Sequence, residues 1–477
     1  MTIKREEMQE IVKRYQEPVG LNLGSHSALD AWQGQRNYGI RSIIYTTPGR
    51  ARIYLQNPMV GKPEEVVEDL PVLVRRDVRV VNDPKDIRKG GDWRSVIVVL
   101  DKYSDIVKYV DELVDLECLQ ITNRAFSVYV GGDEYCSVIE NDYGVPILGS
   151  RNLLKIENRG EIDKDYYWFA EQANIPYPKS YKYEAYEGGI RFKEPIDEPM
   201  ILKAEHVHRA FEREFIFAAD SHDLEEKVAR EVKAGNLSKE ALENGRVEQI
   251  VLGPHANFNF FFSPLDAKGD WGDTEDWFVK LYNVSLEEAR ICLANQFLSI
   301  DERRETILDG VKRLPSDVQE KIKRVPSFEV TAHAILSLRE SLLKDMHRYA
   351  DRFLLACREY SAPGIIGAWC LQTLITWDRI SKYELKPSVK LDVTVGTEAK
   401  KATDYGLYDI HGEQDPYMHI PVTQDVALRH GGGTNVHMGL GSQYANAKYK
   451  KRMSTGDRIG LEIRRALKTK QLHELVT

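Results

Sequence analysis

Short apolar runs alternate with helical or polar stretches through the first third of the chain, and this alternation constrains the fold most. Runs of strand character lie at 20–24, 42–45, 72–74, 78–81, 95–100, 116–121 and 126–130, the last ending in Gly131-Gly132. Helical character covers about 5–16 and resumes from Ser27. Strands separated by helical stretches predict an α/β unit with a parallel sheet, whose ligands bind at the C-terminal strand ends.

The remainder reads as α+β. A boundary is expected near 151–159, followed by a helix at 164–172 and strands at 199–203 and 215–218. A helix at 223–233, strands at 247–252 and 258–262, and a long helix at 336–359 come next. Strands at 365–375 and 420–428 flank a polar stretch, 377–419, which is longer than an ordinary connection and reads as an inserted excursion. With 477 residues the chain has length for two or three cores.

Composition removes several function classes. Hydrophobic residues at 42% and charged residues at 29% exclude a disordered chain. No run approaches the roughly 20 apolar residues that span a bilayer, and the polar start does not resemble a signal peptide, so no membrane partner and a cytoplasmic location are expected. The net charge of −8, with basic residues spread along the chain, gives no nucleic-acid stripe. The five cysteines form no CxxC pair and are expected to be reduced thiols.

Four segments carry residues suited to chemistry. Gly24-Ser25-His26-Ser27 joins an extended run to a helix, where backbone N–H groups favour an anion and His26 adds a donor, unless Ser27 is simply a cap. Lys203 ends a strand and either places a cation over phosphates or faces water; Glu248 offers a carboxylate on a run that otherwise reads as a half-buried strand. In Asp425-Val426-Ala427-Leu428-Arg429-His430-Gly431-Gly432-Gly433-Thr434-Asn435, period-two alternation puts Asp425, Ala427 and Arg429 on one face before a glycine turn. A carboxylate for magnesium beside an arginine for phosphate suits phosphoryl transfer, and an ion pair beside a turn is the alternative.

Taken in order, several pieces resemble the archaeal formate-dependent ligases that make 5-formaminoimidazole-4-carboxamide ribonucleotide (FAICAR). They are Gly24-Ser25-His26, Phe126 with Tyr129 and Gly131, Pro146-Ile147-Leu148-Gly149-Ser150-Arg151, and Phe262-Ser263-Pro264-Leu265. Glu248-Gln249-Ile250-Val251-Leu252-Gly253, Arg339-Glu340-Ser341-Leu342-Leu343, Pro363-Gly364 with Ile366-Gly367, Cys370-Leu371-Gln372 and Gly432-Gly433-Thr434-Asn435 complete the set.

The resemblance implies an ATP-grasp fold with an N-terminal α/β domain at 1–155, a small lobe at 156–260 and a large lobe at 261–477 carrying the insertion. It implies ATP as co-substrate, Mg2+ or Mn2+, formate and aminoimidazole carboxamide ribonucleotide as substrates, and a homo-oligomer. Lys203, Arg209, Arg213, Glu248, Ile250 and Glu305 are the implied ATP contacts, and Gln372 with Asp425 the implied metal ligands. Arg429 is the implied catalytic cation, and Ser25, His26, Ala125 and His333 the implied substrate contacts. The chain departs from the family pattern where Ala125 replaces a serine, His333 an asparagine and Asp425 a glutamate, and where 204–214 lacks the glycines of a phosphate-covering loop. A ligase for another acid or amine, and a non-catalytic nucleotide-binding paralogue, are the competing readings.

Overall fold

The computed structural model describes residues 2–57, 78–123, 125–131, 136–157, 162–205, 213–319, 321–322, 330–383 and 417–477. Strands β1 (Val19–Leu23), β2 (Ser42–Thr46), β3 (Val78–Val81), β4 (Ser95–Val99), β5 (Cys118–Ile121) and β6 (Ile147–Leu148) form a parallel sheet in the order β3-β4-β2-β1-β5-β6. Every residue of β1 and β2 is buried. Leu21, Leu23, Ile43 and Tyr45 enter one core and Ile44 joins Ala28, Trp32 and Tyr54 in another. Burial on both faces explains why these strands read as continuous apolar runs.

β1 lies between β2 and β5, so the sheet grows in opposite directions from it. The loops leaving β1 and β5 therefore flank a crevice, the usual ligand position in an open α/β sheet. The run at 126–130 is a helix, Phe126–Gly131, rather than the expected strand. Ala125 turns the chain with a left-handed φ of 69°, and its carbonyl accepts from Tyr129 N at 2.9 Å, a helical bond. The run at 72–74 lies outside the described residues.

A second sheet joins β7 (Ser180–Tyr181), β10 (Met200–Glu205), β11 (Arg213–Ala218) and β12 (Arg246–Gln249) in the order β11-β10-β12-β7, with β8 (Glu184–Tyr186) and β9 (Gly189–Arg191) as a separate hairpin. Met200, Leu202 and Ala204 pack on Leu224 and Val228 of the helix Ser221–Lys233. Period two then sends Ile201 and Lys203 to the opposite face.

The third sheet is antiparallel, with β13 (His255–Phe262), β14 (Asn295–Glu305), β15 (Val330–Ile335), β16 (Gly367–Arg379) and β17 (Tyr417–Ala427) in the order β15-β14-β13-β16-β17. Its back face places Phe258, Phe260, Ile300, Trp369, Leu371 and Val426 against Met346, Tyr349 and Phe353 of the helix Glu340–Tyr360. Each fully buried large side chain contributes about 1.5–3 kcal/mol, which fixes the sheet; Phe261 and Ala368 enter a separate core and Leu374 another.

Two expectations change. The boundary expected at 260 falls inside β13. The ends of the expected excursion at 377–419 are paired strand: Trp377 is the cross-strand partner of His419, and their ring centroids lie 4.6 Å apart. Its centre, 384–416, lies outside the described residues.

The chain's end returns to its beginning. The helix Thr455–Thr469 lies on the helix Ala28–Asn37 so closely that a Cβ on Gly34 would stand 1.9 Å from the Gly456 carbonyl carbon. Thr477 then exchanges backbone hydrogen bonds with Ile147 of β6. Among the described residues no helix is long and apolar enough to cross a membrane, and the five cysteines are buried and free.

Candidate active site

The front of the third sheet carries a polar row in strict register. Asp301 on β14 pairs with Asn257 on β13, Asn257 with Gln372 on β16, and Gln372 with Asp425 on β17. Asp301 accepts from Asn257 Nδ2 at 2.8 Å, from Asn259 Nδ2 at 2.7 Å and from the His333 imidazole at 2.8 Å. Because a carboxylate only accepts, both amide side chains turn their NH2 groups toward Asp301. Asn257 Oδ1 and Gln372 Oε1 are buried without a hydrogen-bond partner.

An orphaned buried carbonyl is costly unless something satisfies it. Gln372 Oε1 beside the Asp425 carboxylate is an oxygen donor pair of the kind that hard divalent cations select. These residues fit magnesium. Among the described residues no cluster of three or more His, Cys, Asp or Glu offers another metal site.

The second sheet carries a buried cation. Lys203 is 9% exposed and its Nζ donates to Glu248 Oε2 at 2.6 Å, so it does not face water. Arg246 Nε lies 3.1 Å from the other Glu248 oxygen, which also accepts from the Tyr167 hydroxyl. The Arg246 guanidinium covers the Tyr167 ring at 3.5 Å. Burial pushes the Glu248 carboxyl up, but Lys203 and Arg246 outweigh it and hold the group below the usual carboxylate range.

Beyond β12 the chain crosses to the third sheet through residues 250–254. A Cβ on Gly253 would lie 2.1 Å from the Ile375 carbonyl oxygen, so glycine is required for this approach. Ile250 N donates to Pro199 O at 3.3 Å, and Val251 packs with Leu374, Ile420 and Val422. At the far end of β14, Glu305 Oε1 lies 3.8 Å from His255 Nε2. Burial raises Glu305, with Asp309 adding to the effect. Burial lowers His255 to about 4, aided by Arg303 and Lys203, so this imidazole is neutral near pH 7.

The glycine turn after β17 joins the third sheet to the first. A Cβ on Gly433 would stand 2.3 Å from Asp301 Oδ2 and 2.7 Å from His333 Nδ1, so the turn packs directly on that pair. On its other side, Ser27 Oγ donates to the Gly431 carbonyl. Ser27 is in the helix N-cap position with φ 66° and makes no side-chain cap, so its hydroxyl ties the two sheets together instead. His430 and Asp30, both fully buried, meet at 2.9 Å, and Thr434 Oγ1 lies 2.7 Å from the same ring nitrogen.

The crevice between β1 and β5 opens beside this turn. Arg50 reaches Ser25 Oγ at 3.4 Å and the Tyr129 hydroxyl at 2.8 Å. Tyr129 stacks on Tyr103 at 5.1 Å, and Asn123 Nδ2 donates to the carbonyls of Leu23 and His26. His26 is exposed at the crevice edge. Ala125 starts the helix Phe126–Gly131 on the neighbouring loop.

Arg429 lies past the end of β17 and pairs with Glu157 at 2.5 Å, not with Asp425. Glu157 also accepts from Leu428 N at 3.0 Å. Burial raises the Glu157 carboxyl, with Arg429 opposing and Asp425 adding. Gln372 and Asp425 are thus brought together, as are Lys203 and Glu248, while Glu305 joins His255 and His333 joins Asp301. Arg209 lies outside the described residues; the Arg213 backbone pairs with Glu205, and its side chain is outside them too.

Asn257, Asp301, Glu157, Arg50 and Tyr103 were not singled out from the sequence. Alternation along β13 and β14 held a usable signal, since Asn257, Asn259, Ser299 and Asp301 interrupt an aromatic and aliphatic pattern at every second residue. No comparable local signal marks Glu157 or Arg50.

A family model described as "Domain of unknown function (DUF1297)" matches residues 223–409 and 405–477, and one described as "Protein of unknown function (DUF1246)" matches 92–181. The chain is 26% identical over 394 residues to the 5-formaminoimidazole-4-carboxamide-1-(beta)-D-ribofuranosyl 5'-monophosphate synthetase of Methanopyrus kandleri, covering 82% of this chain and 88% of that protein. It is 25% identical to the synthetase of the same name from Methanobrevibacter smithii, covering 100% of this chain and 99% of that protein. Among solved structures, an IMP biosynthesis protein PurP from Thermococcus kodakaraensis superposes with a TM-score of 0.54 at 19% identity, covering 96% of this chain and 100% of that one.

Proposed function

Because the chain belongs to the DUF1297 family, whose model spans more than half of it, we propose that it is an ATP-dependent ligase that formylates aminoimidazole carboxamide ribonucleotide with formate, giving FAICAR, ADP and phosphate. The fold is ATP-grasp, with a parallel N-terminal sheet and two α+β lobes. The observation that carries the reading is a pair of polar constellations on successive sheets: a buried Lys203–Glu248 pair on one and the Asp301–Asn257–Gln372–Asp425 row on the other. We take 1–155, 156–254 and 255–477 as the three parts, with the last helix serving the first part.

Formate is a poor acyl donor because its leaving group is oxide or hydroxide, whereas formyl phosphate expels phosphate. The protein must therefore align formate with the γ-phosphate and exclude water until the amine attacks. Lys203 is assigned the phosphate charge, Glu248 the ribose hydroxyls, and the Ile250 main chain the base. Glu305 and the neutral His255 close the nucleotide site beneath it. Arg209 and Arg213 are assigned the place of the missing phosphate-covering glycines.

Gln372 and Asp425 are the residues that would hold magnesium, or manganese, which neutralises phosphate charge when bound. Arg429, oriented by Glu157, is assigned to the transferring group. Ser25 and His26 at the crevice, with Ala125 beside them, are assigned to the ribonucleotide, and His333, packed against the glycine turn, is assigned with them. The cytoplasm and a homo-oligomer are part of this reading; light scattering on purified protein tests the latter.

Purified protein with ATP, Mg2+, formate and the aminoimidazole ribonucleotide tests the proposal. ADP release that needs both formate and the amine supports it; no release with this pair, and release with another acid or amine, replaces it. Ala125 and His333 are the specific residues that favour that second reading, since they alter hydrogen-bonding groups at the assigned substrate side.

A further inference from the structure

Acylating an amine releases a proton; the residues assigned above to metal and phosphate are cations, metal ligands or carboxylates already engaged, and the neutral His255 lies beside Glu305 at the nucleotide site. His333 differs. Its Nδ1 lies 2.8 Å from Asp301 Oδ2, and Asp301 is 1% exposed with its oxygens also taken by Asn257 and Asn259. Three donors converge on an acceptor-only group, so Nδ1 carries the hydrogen, and in the neutral ring this leaves the lone pair on Nε2. Gly433 covers the bonded edge of the ring: no Cβ fits there. The side chain nonetheless stays 14% exposed.

We propose that His333 and Asp301 form a base dyad in which His333 Nε2 takes the proton that the substrate amine loses as it is acylated. This rests on the ligase reading above. The amine lone pair forms the C–N bond to the formyl carbon of formyl phosphate, and the C=O electrons shift to oxygen. They return as the C–O bond to phosphate breaks, and phosphate leaves with that electron pair. The nitrogen's surplus proton passes to Nε2, and the imidazolium is held by the Asp301 carboxylate until the proton passes to phosphate or water.

The logic is that of a carboxylate that fixes an imidazole's tautomer and stabilises its cation. Around the pair stand Arg303, the cross-strand partner of His333, and His437, which is buried behind the glycine turn and feels the Asp301 charge. Asp301 is a positioning residue in this scheme, and His333 the catalytic one.

The test separates the two half-reactions. Formyl phosphate is trapped with hydroxylamine as formohydroxamate, and FAICAR is measured in parallel. His333→Asn should retain formohydroxamate formation within about threefold, which also reports an intact fold and ATP site, while FAICAR formation falls about 10²-fold or more, the usual worth of general base catalysis. His333→Gly should lose FAICAR formation likewise and regain part of it with added imidazole. A His333→Asn protein that makes FAICAR at the wild-type rate, or loses both half-reactions equally, overturns the dyad and leaves the ligase reading standing. A wild-type protein that yields neither formohydroxamate nor FAICAR overturns both.

Discussion

Gln372 on β16 and Asp425 on β17 are direct cross-strand partners, and the Gln372 carbonyl oxygen is buried with no hydrogen-bond partner. Two oxygen donors side by side, one of them unsatisfied, make a site that gains stability when a cation arrives. Asp425→Asn and Gln372→Ala should each raise the Mg2+ concentration needed for half-maximal turnover by tenfold or more, about 1.4 kcal/mol or greater. A magnesium titration at saturating ATP reads this out, and an unchanged midpoint in both variants excludes the pair as ligands.

Glu248 is held below the usual carboxylate range although burial opposes this, because Lys203 and Arg246 face it. A depressed folded pKa contributes stability that is present above the unfolded value, about 4.3, and is lost as pH falls through the folded value. Glu248→Gln should therefore destabilise the protein at pH 7 by about 3–5 kcal/mol, since it leaves Lys203 buried without its partner charge. The gap from wild type should shrink below about pH 4. Urea unfolding at both pH values checks this; a gap that stays constant contradicts it.

Asp351 titrates in the opposite sense. Burial raises it to about 8, and Asn295 Nδ2 donates to it at 3.2 Å. The folded carboxyl is protonated at neutral pH, so its contribution is complete below the unfolded pKa of about 3.9 and is lost as pH rises toward 8. Asp351→Asn, which keeps the shape without the titration, should gain on wild type as pH rises from 5 to 8, on the order of a few kcal/mol. Melting temperatures at the two pH values decide; parallel shifts would mean the carboxyl does not titrate there.

Much of this arrangement was legible because it is local. An extended run marked β1 and apolar runs marked β2 and β4, and alternation at 425–427 put Asp425 on the face opposite Val426, which lies in the core. The helix Phe126–Gly131 was misread because Val128 and Val130 favour strands, while the left-handed turn at Ala125 that redirects the chain leaves no mark in propensity. Long-range partners stayed hidden. Lys203 alone looks like a solvated lysine until β12 brings Glu248 beside it, and nothing near Arg429 in the sequence points to Glu157, 272 residues away.

The glycine turn offers a prediction of its own. Gly433→Ala would push a methyl into Asp301 Oδ2 and His333 Nδ1. Shifting that backbone by even an ångström misplaces groups on both sides of the cleft, so turnover should fall about 10²-fold. The thermal midpoint should move far less than activity. A full-activity Gly433→Ala protein would show that the turn's approach to the pair has no bearing on turnover.

The central claim is that formate is activated as an acyl phosphate, and oxygen-18 formate tests it most directly. With ATP, Mg2+ and the aminoimidazole ribonucleotide, one formate oxygen must end in the released inorganic phosphate, because the C–O bond broken in the second step is the one formate brought. Mass spectrometry of the phosphate should find one heavy oxygen for each FAICAR formed. Unlabelled phosphate accompanying FAICAR would contradict the acyl-phosphate route, and ADP release with no FAICAR would contradict the assigned substrate.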